Sequence, residues 1–293
     1  MGEKQVAYLL ILPSIILLAV FTAFPLFFSL YLSFFNVNPS TTRSGYPFIG
    51  LNNYIQAVSD PVFWQSLFNT FYMVFFLVTI ELLIGLVLAL TFTEEFKFKN
   101  RITPILIIPT MVVPIAIGFT FKLFFTLNYG IISYIGNWMT GASIPWLING
   151  TYATWAIIIT DVWEWSPFMF MMLLAGMTSL PQAVAEAAQL DGSSTVQTFI
   201  NITLPLLRPI ILVALLIRSI DALKLFDVPL MLTGGGPGTS TQTLTFYIYN
   251  EQFIYYNQGY GAATSFLMLV IVMVFTTLFI RTGAWFPGKA GGV

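Results

Sequence analysis

The chain has no cysteine and no histidine among its 293 residues. Their absence excludes disulfides, thiolate and imidazole metal sites, and catalysis by Ser-His or Cys-His pairs. Charge is scarce as well: charged residues make up 8% of the chain, against about 25% in soluble domains. With a net charge of −1, the chain also lacks the basic surface that binding to nucleic acid requires.

Long apolar runs dominate the sequence. Hydrophobic residues make up 57% of the chain, and 29 Phe, 13 Tyr and 7 Trp suit a helix bundle with aromatic belts at both membrane interfaces. The runs predict an all-α, polytopic membrane protein with six transmembrane helices, the first of them retained rather than cleaved as a signal peptide. The predicted spans are residues 8–35, 66–92, 102–126, 151–177, 206–232 and 260–280. Without an internal repeat or a separate soluble domain, residues 1–293 are predicted to form a single transmembrane domain.

The distribution of Lys and Arg predicts the orientation. Six spans place both termini on one side of the membrane, and most basic residues share that side: Lys4, Lys97, Lys99, Arg101, Arg208, Arg281 and Lys289. Arg43 lies clearly on the other side, with Lys122 near that face. Because cytoplasmic loops carry the excess of Lys and Arg, both termini and the loop between the fourth and fifth spans are predicted to be cytoplasmic.

Charged side chains inside the predicted spans indicate a functional interior. Each costs roughly 2.5–3.5 kcal/mol to insert, so such residues usually face the bundle interior or a wet cavity. Helical spacing places two sets on one face each: Asp161, Glu164, Trp165 and Phe168 on the fourth span, and Arg218, Asp221 and Leu225 on the fifth. We interpret these faces as the lining of a solute pathway. The alternative is mutual neutralisation that only holds the bundle together, and the two roles overlap.

Three further charges within the predicted spans bear on this interior. Lys224 and Asp227 are expected to form a separate i, i+3 pair, and Glu81 either pairs with a cation of a neighbouring span or has a role beyond structure. Carboxylates outnumber cations in the set as a whole. This excess disfavours an anionic cargo and suits a polyhydroxy compound, whose hydroxyls need acceptors.

The glycine-rich stretch at residues 234–241 (GGGPGTST) is not expected to bind a nucleotide. It lacks the G-K-[ST] ending of a phosphate-binding loop and follows a membrane span, so it predicts a turn-rich loop. If transport is driven by ATP, the ATPase is therefore another chain, and this chain is not itself an enzyme.

The longest polar interruption, residues 186–209, predicts two short helices joined by a turn. Asp191-Gly192 ends the first helix, because glycine readily takes the left-handed conformation that closes a helix. Ser193 or Ser194 caps the second helix, and Pro205 and Pro209 stop it from continuing unbroken. Residues 179–205 are therefore predicted to form a small amphipathic protrusion on the membrane surface. We refer to these residues as the coupling segment.

This stretch resembles the coupling motif of bacterial ATP-binding-cassette (ABC) importer permeases, which reads EAA, three residues, G, nine residues and I-x-L-P. The matching positions are Glu186, Ala187, Ala188, Gly192, Ile202, Leu204 and Pro205. Further stretches look like the carbohydrate-uptake group of these permeases, similar to the maltose and glycerol-phosphate types: YLLILP (8–13), IGLNNY (49–54), DPVFW (60–64) and LTGGGP (232–237). The resemblance covers nearly the whole chain, from Tyr8 to Arg281.

The resemblance implies a heteromeric importer in a bacterial or archaeal cell (inner) membrane. Its implied partners are two cytoplasmic ATPase subunits that bind ATP and Mg, a second and often non-identical permease chain, and an extracytoplasmic solute-binding protein. The implied ATPase-coupling residues are Glu186, Ala187, Ala188, Asp191, Gly192, Ile202, Leu204 and Pro205. In maltose-type permeases the fourth and fifth spans line the sugar site, which points here to Glu164, Trp165, Phe168, Asp221, Ala222 and Leu225, beside Asp161 and Arg218.

The expected function is therefore the membrane pathway of an ATP-driven importer for a sugar or oligosaccharide. The alternative is a secondary transporter that uses the intramembrane carboxylates for ion-coupled uptake, which the absence of an inverted repeat disfavours. A membrane-embedded hydrolase would need a nucleophile with a base or a metal site, and His and Cys are absent. Catalytic Asp pairs are possible in principle, but Asp161, Asp221 and Asp227 have nearby cations to pair with. A scaffold without a pathway is disfavoured by the charged faces.

Overall fold

The computed structural model describes residues 3–41, 45–181 and 192–284. Apart from an isolated bridge between Phe35 and Phe48, these residues form helices, turns and loops, which confirms the predicted all-α class. The α-helices are α1 Glu3–Leu18, α2 Phe24–Leu32, α3 Asn52–Ser59, α4 Pro61–Thr93, α5 Lys99–Ile107, α6 Pro114–Phe125, α7 Ile131–Thr140, α8 Gly150–Thr178, α9 Thr195–Thr198, α10 Leu204–Ala222, α11 Asp227–Leu232, α12 Leu244–Tyr249 and α13 Gln258–Ala284. Short π-helical turns at Ala19–Ala23, Phe199–Thr203 and Asn250–Ile254 join neighbouring helices, and a 3₁₀ turn covers Ile108–Met111.

Several helices are long and apolar enough to cross a membrane, so the chain is polytopic. Among the described residues there are five: Leu10–Leu32, Pro61–Thr93, Gly150–Thr178, Thr195–Ala222 and Gln258–Thr282. The count rises to six if the consecutive helices Lys99–Met111 and Pro114–Phe125 are taken as one span. Helix length and composition do not distinguish the two faces of the membrane, so the cytoplasmic position of the termini stays a prediction.

The third predicted span, 102–126, is not one straight helix. Its two halves are bent by 95° at residues 112 and 113. Pro114 lacks an amide hydrogen and its ring disfavours the helical conformation at the preceding residue. Val113 accordingly has extended backbone angles (φ −65°, ψ 129°), and α6 begins at the proline itself.

The fifth predicted span, 206–232, also differs from the structure. The helix begins earlier, at Thr195, and ends at Ala222, and the short helix α11 follows only after a turn at residues 223–226. In that turn the Lys224 amide donates to the Asp221 carbonyl at 2.9 Å, and the Thr243 hydroxyl donates to the Leu225 carbonyl at 2.8 Å. The side chains of Asp221 and Lys224 are about half exposed at this turn, which explains why the charges end the span instead of lying inside it.

The coupling segment is described in part. Residues 182–191, including Glu186, Ala187, Ala188 and Asp191, lie outside the described ranges. Gly192 has the left-handed backbone (φ +78°) that the sequence predicts for a helix-closing glycine. Ser194 caps α9: its hydroxyl accepts from the Gln197 amide at 3.3 Å, while the Gln197 side chain accepts from the Ser194 amide at 2.9 Å.

The predicted interruption at Pro205 and Pro209 is wrong, because the helix runs on into the membrane span. Pro205 is at the start of α10, directly after the π-helical turn Phe199–Thr203, and Pro209 is inside the same helix. A π-helical turn widens the hydrogen-bonding pattern locally and so accommodates a residue that cannot donate. Thr195–Ala222 is therefore one helical stretch that joins the coupling segment to the membrane interior.

The chain divides into two compact units. The first comprises residues 1–64 and 247–271. Within it the Asn53 amide donates to the carbonyls of Ser33 and Phe35 at 2.8 and 3.0 Å, which fixes α3 against the end of α2. The Asp60 carboxylate accepts from the Tyr247 hydroxyl at 2.6 Å and thereby ties the start of α4 to α12.

The second unit comprises residues 65–246 and 272–293. Its core is built from α4, α6, α8, α10 and α11, with fully buried side chains such as Leu77, Ile157 and Met169. Helices α4 and α8 approach closely at Gly85: a Cβ atom there would lie 2.6 Å from the Cβ of Met169. This contact sets α4 and α8 side by side, and both helices carry intramembrane carboxylates.

Candidate functional site

The site is organised around Arg218, a charged side chain that is only 2% exposed. Its helix, α10, carries it into the interior of the second unit between α4 and α8. Nε and Nη2 donate to the two carboxylate oxygens of Glu81 on α4, at 2.8 and 2.9 Å. Nη2 also donates to Asp161 on α8, and Nη1 donates to Asp221 on its own helix at 3.1 Å. The guanidinium thus joins three helices through charge-assisted bonds, two of them in a bidentate pair.

The cluster around Arg218 contains more buried carboxylates than buried cations. Glu81 and Asp161 are 0% and 2% exposed, so two buried carboxylates face one buried cation. A buried charge is tolerated only when it is paired and hydrogen-bonded. Arg218 supplies that pairing for both acids, and the expectation that Glu81 pairs with a cation of a neighbouring span is confirmed.

Trp165 covers the face of the guanidinium that the carboxylates leave free. The Arg218 Cζ atom lies 4.9 Å from the centre of the Trp165 ring, a cation–π arrangement. The indole in turn has Phe168 at its edge, with the ring centres 6.2 Å apart. Trp165 is therefore held in a fixed orientation beside the charged cluster.

A cavity of about 160 Å³ opens beside this cluster. Its lining combines charged, aromatic and aliphatic side chains: Pro114, Asp161, Glu164, Trp165, Arg218, Asp221, Lys224, Leu225, Phe226, Asp227 and Val228. Four of these residues are acidic and two are basic. The cavity is thus lined by hydrogen-bond acceptors together with an indole, a combination that suits a hydroxyl-rich ligand better than an anion.

Glu164 differs from the other carboxylates of the cluster. Its side chain is 1% exposed, and its Oε2 atom has no hydrogen-bond partner among the described residues. A buried polar atom without a partner is costly and calls for an explanation. An acceptor on the cavity lining that the described residues leave unsatisfied is available to a hydroxyl of a bound solute.

Lys224 pairs differently from the prediction. Its Nζ atom lies 3.9 Å from Asp221 Oδ1, and within the described ranges no ion pair joins it to Asp227. The reason is the turn that follows Ala222, which alters the helical spacing on which the Lys224–Asp227 pair was based. Asp221 therefore lies between the buried Arg218 and the exposed Lys224.

The structure brings six of the eight predicted pathway residues to the cavity: Asp161, Glu164, Trp165, Arg218, Asp221 and Leu225. Phe168 lies behind Trp165 rather than on the lining, and Ala222 is 1% exposed in the core. Glu81 is central to the cluster although it was not among the predicted pathway residues. Five lining residues were not predicted as pathway residues: Pro114, Lys224, Phe226, Asp227 and Val228. Their positions depend on the bend at Val113 and the turn at 223–226.

The described part of the coupling motif lies at the other end of the same helical stretch. Ile202 belongs to the π-helical turn, and Leu204 and Pro205 begin α10. Leu204 and Pro205 line a shallow groove together with Ile200, Arg208 and Ile211. Arg218 and Asp221 follow on the same helix, so the described part of the motif and the cavity lie on one helical stretch.

These observations define a polytopic helical membrane protein with a polar cavity in its second compact unit. The family model described as "Binding-protein-dependent transport system inner membrane component" matches residues 61–286, and the chain belongs to this family. Permeases of this family are the membrane subunits of ABC importers, so the chain is a transport subunit and not an enzyme.

Several relatives match over almost the whole chain. A sulfoquinovosyl glycerol transport system permease protein of Agrobacterium fabrum is 38% identical over 283 residues, covering 96% of this chain and 91% of the relative. A trehalose/maltose transport system permease protein of Thermococcus litoralis is 37% identical over 284 residues, covering 96% and 94%. A trehalose transport system permease protein of Mycobacterium tuberculosis is 33% identical over 289 residues, covering 98% and 92%.

Solved structures share the fold. A crystal structure of a bacterial ABC transporter involved in the import of the acidic polysaccharide alginate matches with a TM-score of 0.84 over 97% of both chains. A second structure, of the alginate transporter in complex with an alginate pentasaccharide-bound periplasmic protein, matches with a TM-score of 0.81 over 94% of this chain and 93% of the other. Both are 20% identical to this chain, so the likeness concerns the fold.

Proposed function

We propose that this chain forms part of the membrane pathway of an ATP-driven importer for an uncharged sugar or oligosaccharide. The observation that carries the proposal is the family match across residues 61–286 together with relatives named for sugar transport. The cavity beside Arg218 is compatible with it, because carboxylate acceptors and an indole are what a polyhydroxy compound needs.

Within the cavity, we assign each side chain a role in cargo binding or in support according to the contacts that it already makes. Glu164, Trp165, Asp221 and Leu225 contact the cargo: the two carboxylates accept from hydroxyls, and the indole and the leucine pack against the sugar ring. Asp161 and Arg218 position these residues by holding α8 and α10 together. Phe168 and Ala222 support the lining from behind.

The cargo is proposed to be uncharged because the buried cation, Arg218, already has carboxylate partners within this chain. Arg218 donates to Glu81, Asp161 and Asp221 and lies over Trp165, which leaves little of the guanidinium for a sulfonate or a uronate. The remaining acids of the lining repel an anion. In this respect the cavity fits a cargo such as that of the trehalose/maltose relative better than a sulfonated sugar.

Coupling to ATP hydrolysis is assigned to the segment Glu186–Pro209. Glu186, Ala187, Ala188, Asp191 and Gly192 dock in a cleft of an ATPase subunit, and Ile202, Leu204 and Pro205 connect the docked part to α10. When the ATPase subunits close, the segment moves as a rigid lever. Because Arg218 joins α10 to α4 and α8, movement of α10 changes the access of the cavity from one side of the membrane to the other.

The assembly has two ATPase subunits that bind ATP and Mg, a second permease chain that completes the pathway, and an extracytoplasmic solute-binding protein. The periplasmic protein in the alginate transporter structure supports the last of these. Residues 1–293 act as a single transmembrane domain in the cell (inner) membrane, with both termini and the coupling segment in the cytoplasm. Ion-coupled transport by the chain alone is less well supported, because Glu81 and Asp161 are both paired with Arg218.

Co-purification of the chain with its candidate ATPase tests the proposal. The wild-type chain is compared with Glu186→Ala, Gly192→Pro and the matched control Gly141→Pro, the same change at another positive-φ glycine, in an exposed turn remote from the coupling segment in sequence. We expect the wild type and the control to retain the ATPase and Gly192→Pro to lose it, since proline cannot adopt the positive φ of this position. A chain that never retains the ATPase, or four chains that retain it equally, would contradict the coupling role.

A further inference from the structure

The short helix α7 exposes one entirely apolar face. Five side chains recur at i, i+3, i+4, i+7 and i+8 along this helix and therefore share one side. They are Ile131, Tyr134, Ile135, Trp138 and Met139, with 57%, 73%, 48%, 79% and 72% of their surface exposed. Tyr129, in the turn before the helix, is also 74% exposed. A contiguous patch of this kind marks a surface that contacts a protein or a membrane.

The polar side of α7 is turned towards its own chain. The Ser133 hydroxyl is buried and donates to the Phe125 carbonyl at 2.8 Å. The half-buried Asn137 side chain accepts from the Ile144 amide at 3.0 Å. Thr140, at the end of the helix on the same side, is exposed, and its hydroxyl donates to the Gly136 carbonyl one turn earlier at 2.8 Å. A helix on a water-exposed surface has the reverse arrangement, with apolar side chains inward and polar ones outward. The surroundings of α7 are therefore apolar on its outer side.

The neighbourhood of α7 identifies those surroundings. No charged residue occurs between Lys122 and Asp161, so the helix and both its connections are uncharged. The span Gly150–Thr178 begins ten residues after α7 ends, which places α7 near a membrane surface. Trp and Tyr are the residues that concentrate at the headgroup level of a bilayer. With 10 residues, or about 15 Å of helix, α7 is also too short to cross the roughly 30 Å hydrocarbon core.

We propose that α7 is an interfacial helix that lies along the membrane surface, with Ile131, Tyr134, Ile135, Trp138 and Met139 in the boundary between headgroups and acyl chains. The partner is the lipid bilayer, in the leaflet at the Gly150 end of α8. Burial of this face holds the start of α8 at a constant depth. Asp161 and Glu164 lie on that helix, so the lipid contact also fixes how deep the polar cavity lies.

The cysteine-free sequence provides a direct test, because a single introduced cysteine is the only labelling site in this chain. Nitroxide labels are attached at Tyr134→Cys, Trp138→Cys and Met139→Cys in the full chain. The chain is assembled with partner subunits that lack reactive cysteines and reconstituted in phosphatidylcholine vesicles. Thr140→Cys, on the opposite side of α7, is the matched control, and Ser40→Cys reports an exposed polar loop. Collision rates are measured with oxygen, which concentrates in lipid, and with a nickel chelate, which stays in water.

The labels at positions 134, 138 and 139 are expected to collide often with oxygen and rarely with the nickel chelate, at depths of about 5–10 Å. The controls are expected to show the opposite preference. Nickel collisions at 138 and 139 equal to those at Ser40 would place the face in water. Protection from both reagents would mean that another protein covers it. Either result would overturn the proposal, and three labelled positions prevent one damaged variant from deciding the outcome.

Discussion

Replacing Arg218 by methionine removes the only cation that faces Glu81 and Asp161 within the described contacts. Methionine fills much of the same volume, so the change is mainly one of charge and hydrogen bonding. The variant leaves two carboxylates buried side by side without a counter-charge, and breaking a buried ion pair in this way costs about 3–5 kcal/mol. Each 1 kcal/mol lowers the Tm of a chain of 150–250 residues by about 2–4 °C, so we expect a shift on the order of 10 °C.

A companion variant separates charge from side-chain loss. Glu81→Gln leaves Arg218 paired with Asp161 and Asp221, so no buried charge loses all its partners. The expected loss is about 1 kcal/mol, the net value of a weakened hydrogen bond. Ile217→Met, next to Arg218 and 48% exposed, is the matched control for introducing methionine on the same helix.

The assay is thermal unfolding of the detergent-purified assembly, followed as the loss of the monodisperse peak in size-exclusion chromatography. The expected order of melting temperatures is wild type and Ile217→Met highest, Glu81→Gln slightly lower, and Arg218→Met far below. If Arg218→Met melts with Ile217→Met, the cluster does not hold α4, α8 and α10 together, and the reasoning is refuted.

Three further predictions concern other parts of the chain. Gly85→Ala places a methyl group 2.6 Å from the Cβ of Met169 and 2.8 Å from the Phe170 amide nitrogen, so it should destabilise the α4–α8 contact by about 1–3 kcal/mol. In the control Gly136→Ala the nearest atom is the end of the Ile144 side chain at 3.1 Å, and this change should be tolerated. A melting temperature of Gly85→Ala no lower than that of Gly136→Ala would contradict the prediction. Ser194→Ala removes the cap of α9 and should cost about 1 kcal/mol, seen as faster amide hydrogen exchange at Gln197, and Ser193→Ala should leave the exchange unchanged. Burial and the hydrogen bond to Asp60 raise the pKa of Tyr247 well above the ordinary value of about 10 for a phenol, so the folded state keeps its proton where the unfolded chain loses it. Stability is then full below about pH 10 and falls as the pH rises beyond it; Tyr247→Phe should flatten this alkaline decline in urea titrations, and a decline unchanged from that of the control Tyr46→Phe would count against the assignment.

The apolar runs were sufficient to predict the fold class, because a span of about 20 apolar residues has few structural alternatives in a membrane. They could not locate the bend at Val113 or the turn at 223–226. Both depend on how a proline or a charged turn is accommodated by neighbouring helices, which periodicity does not report. The error at Pro205 has the same origin, since the π-helical turn that absorbs the proline leaves no mark in the sequence.

The sequence predicted which charged residues form the site better than it predicted which of them pair with one another. The cost of burying charge identified Asp161, Glu164, Arg218 and Asp221, and the structure brings all four to one cavity. The spacing within one helix could not reveal that Glu81, 137 residues away from Arg218 in sequence, supplies the bidentate partner. That contact is tertiary, and only the packing of α4 against α8 and α10 creates it.

Uptake by the reconstituted importer tests the central proposal most directly. The full assembly is placed in vesicles with the solute-binding protein outside and ATP inside, and entry of a labelled neutral disaccharide is measured with and without an imposed ion gradient. The account predicts uptake that requires ATP and the binding protein, is unaffected by collapse of the gradient, and is lost in Gly192→Pro. Uptake by this chain alone, driven by the ion gradient without ATPase subunits, would contradict it and would assign the buried carboxylates to ion coupling.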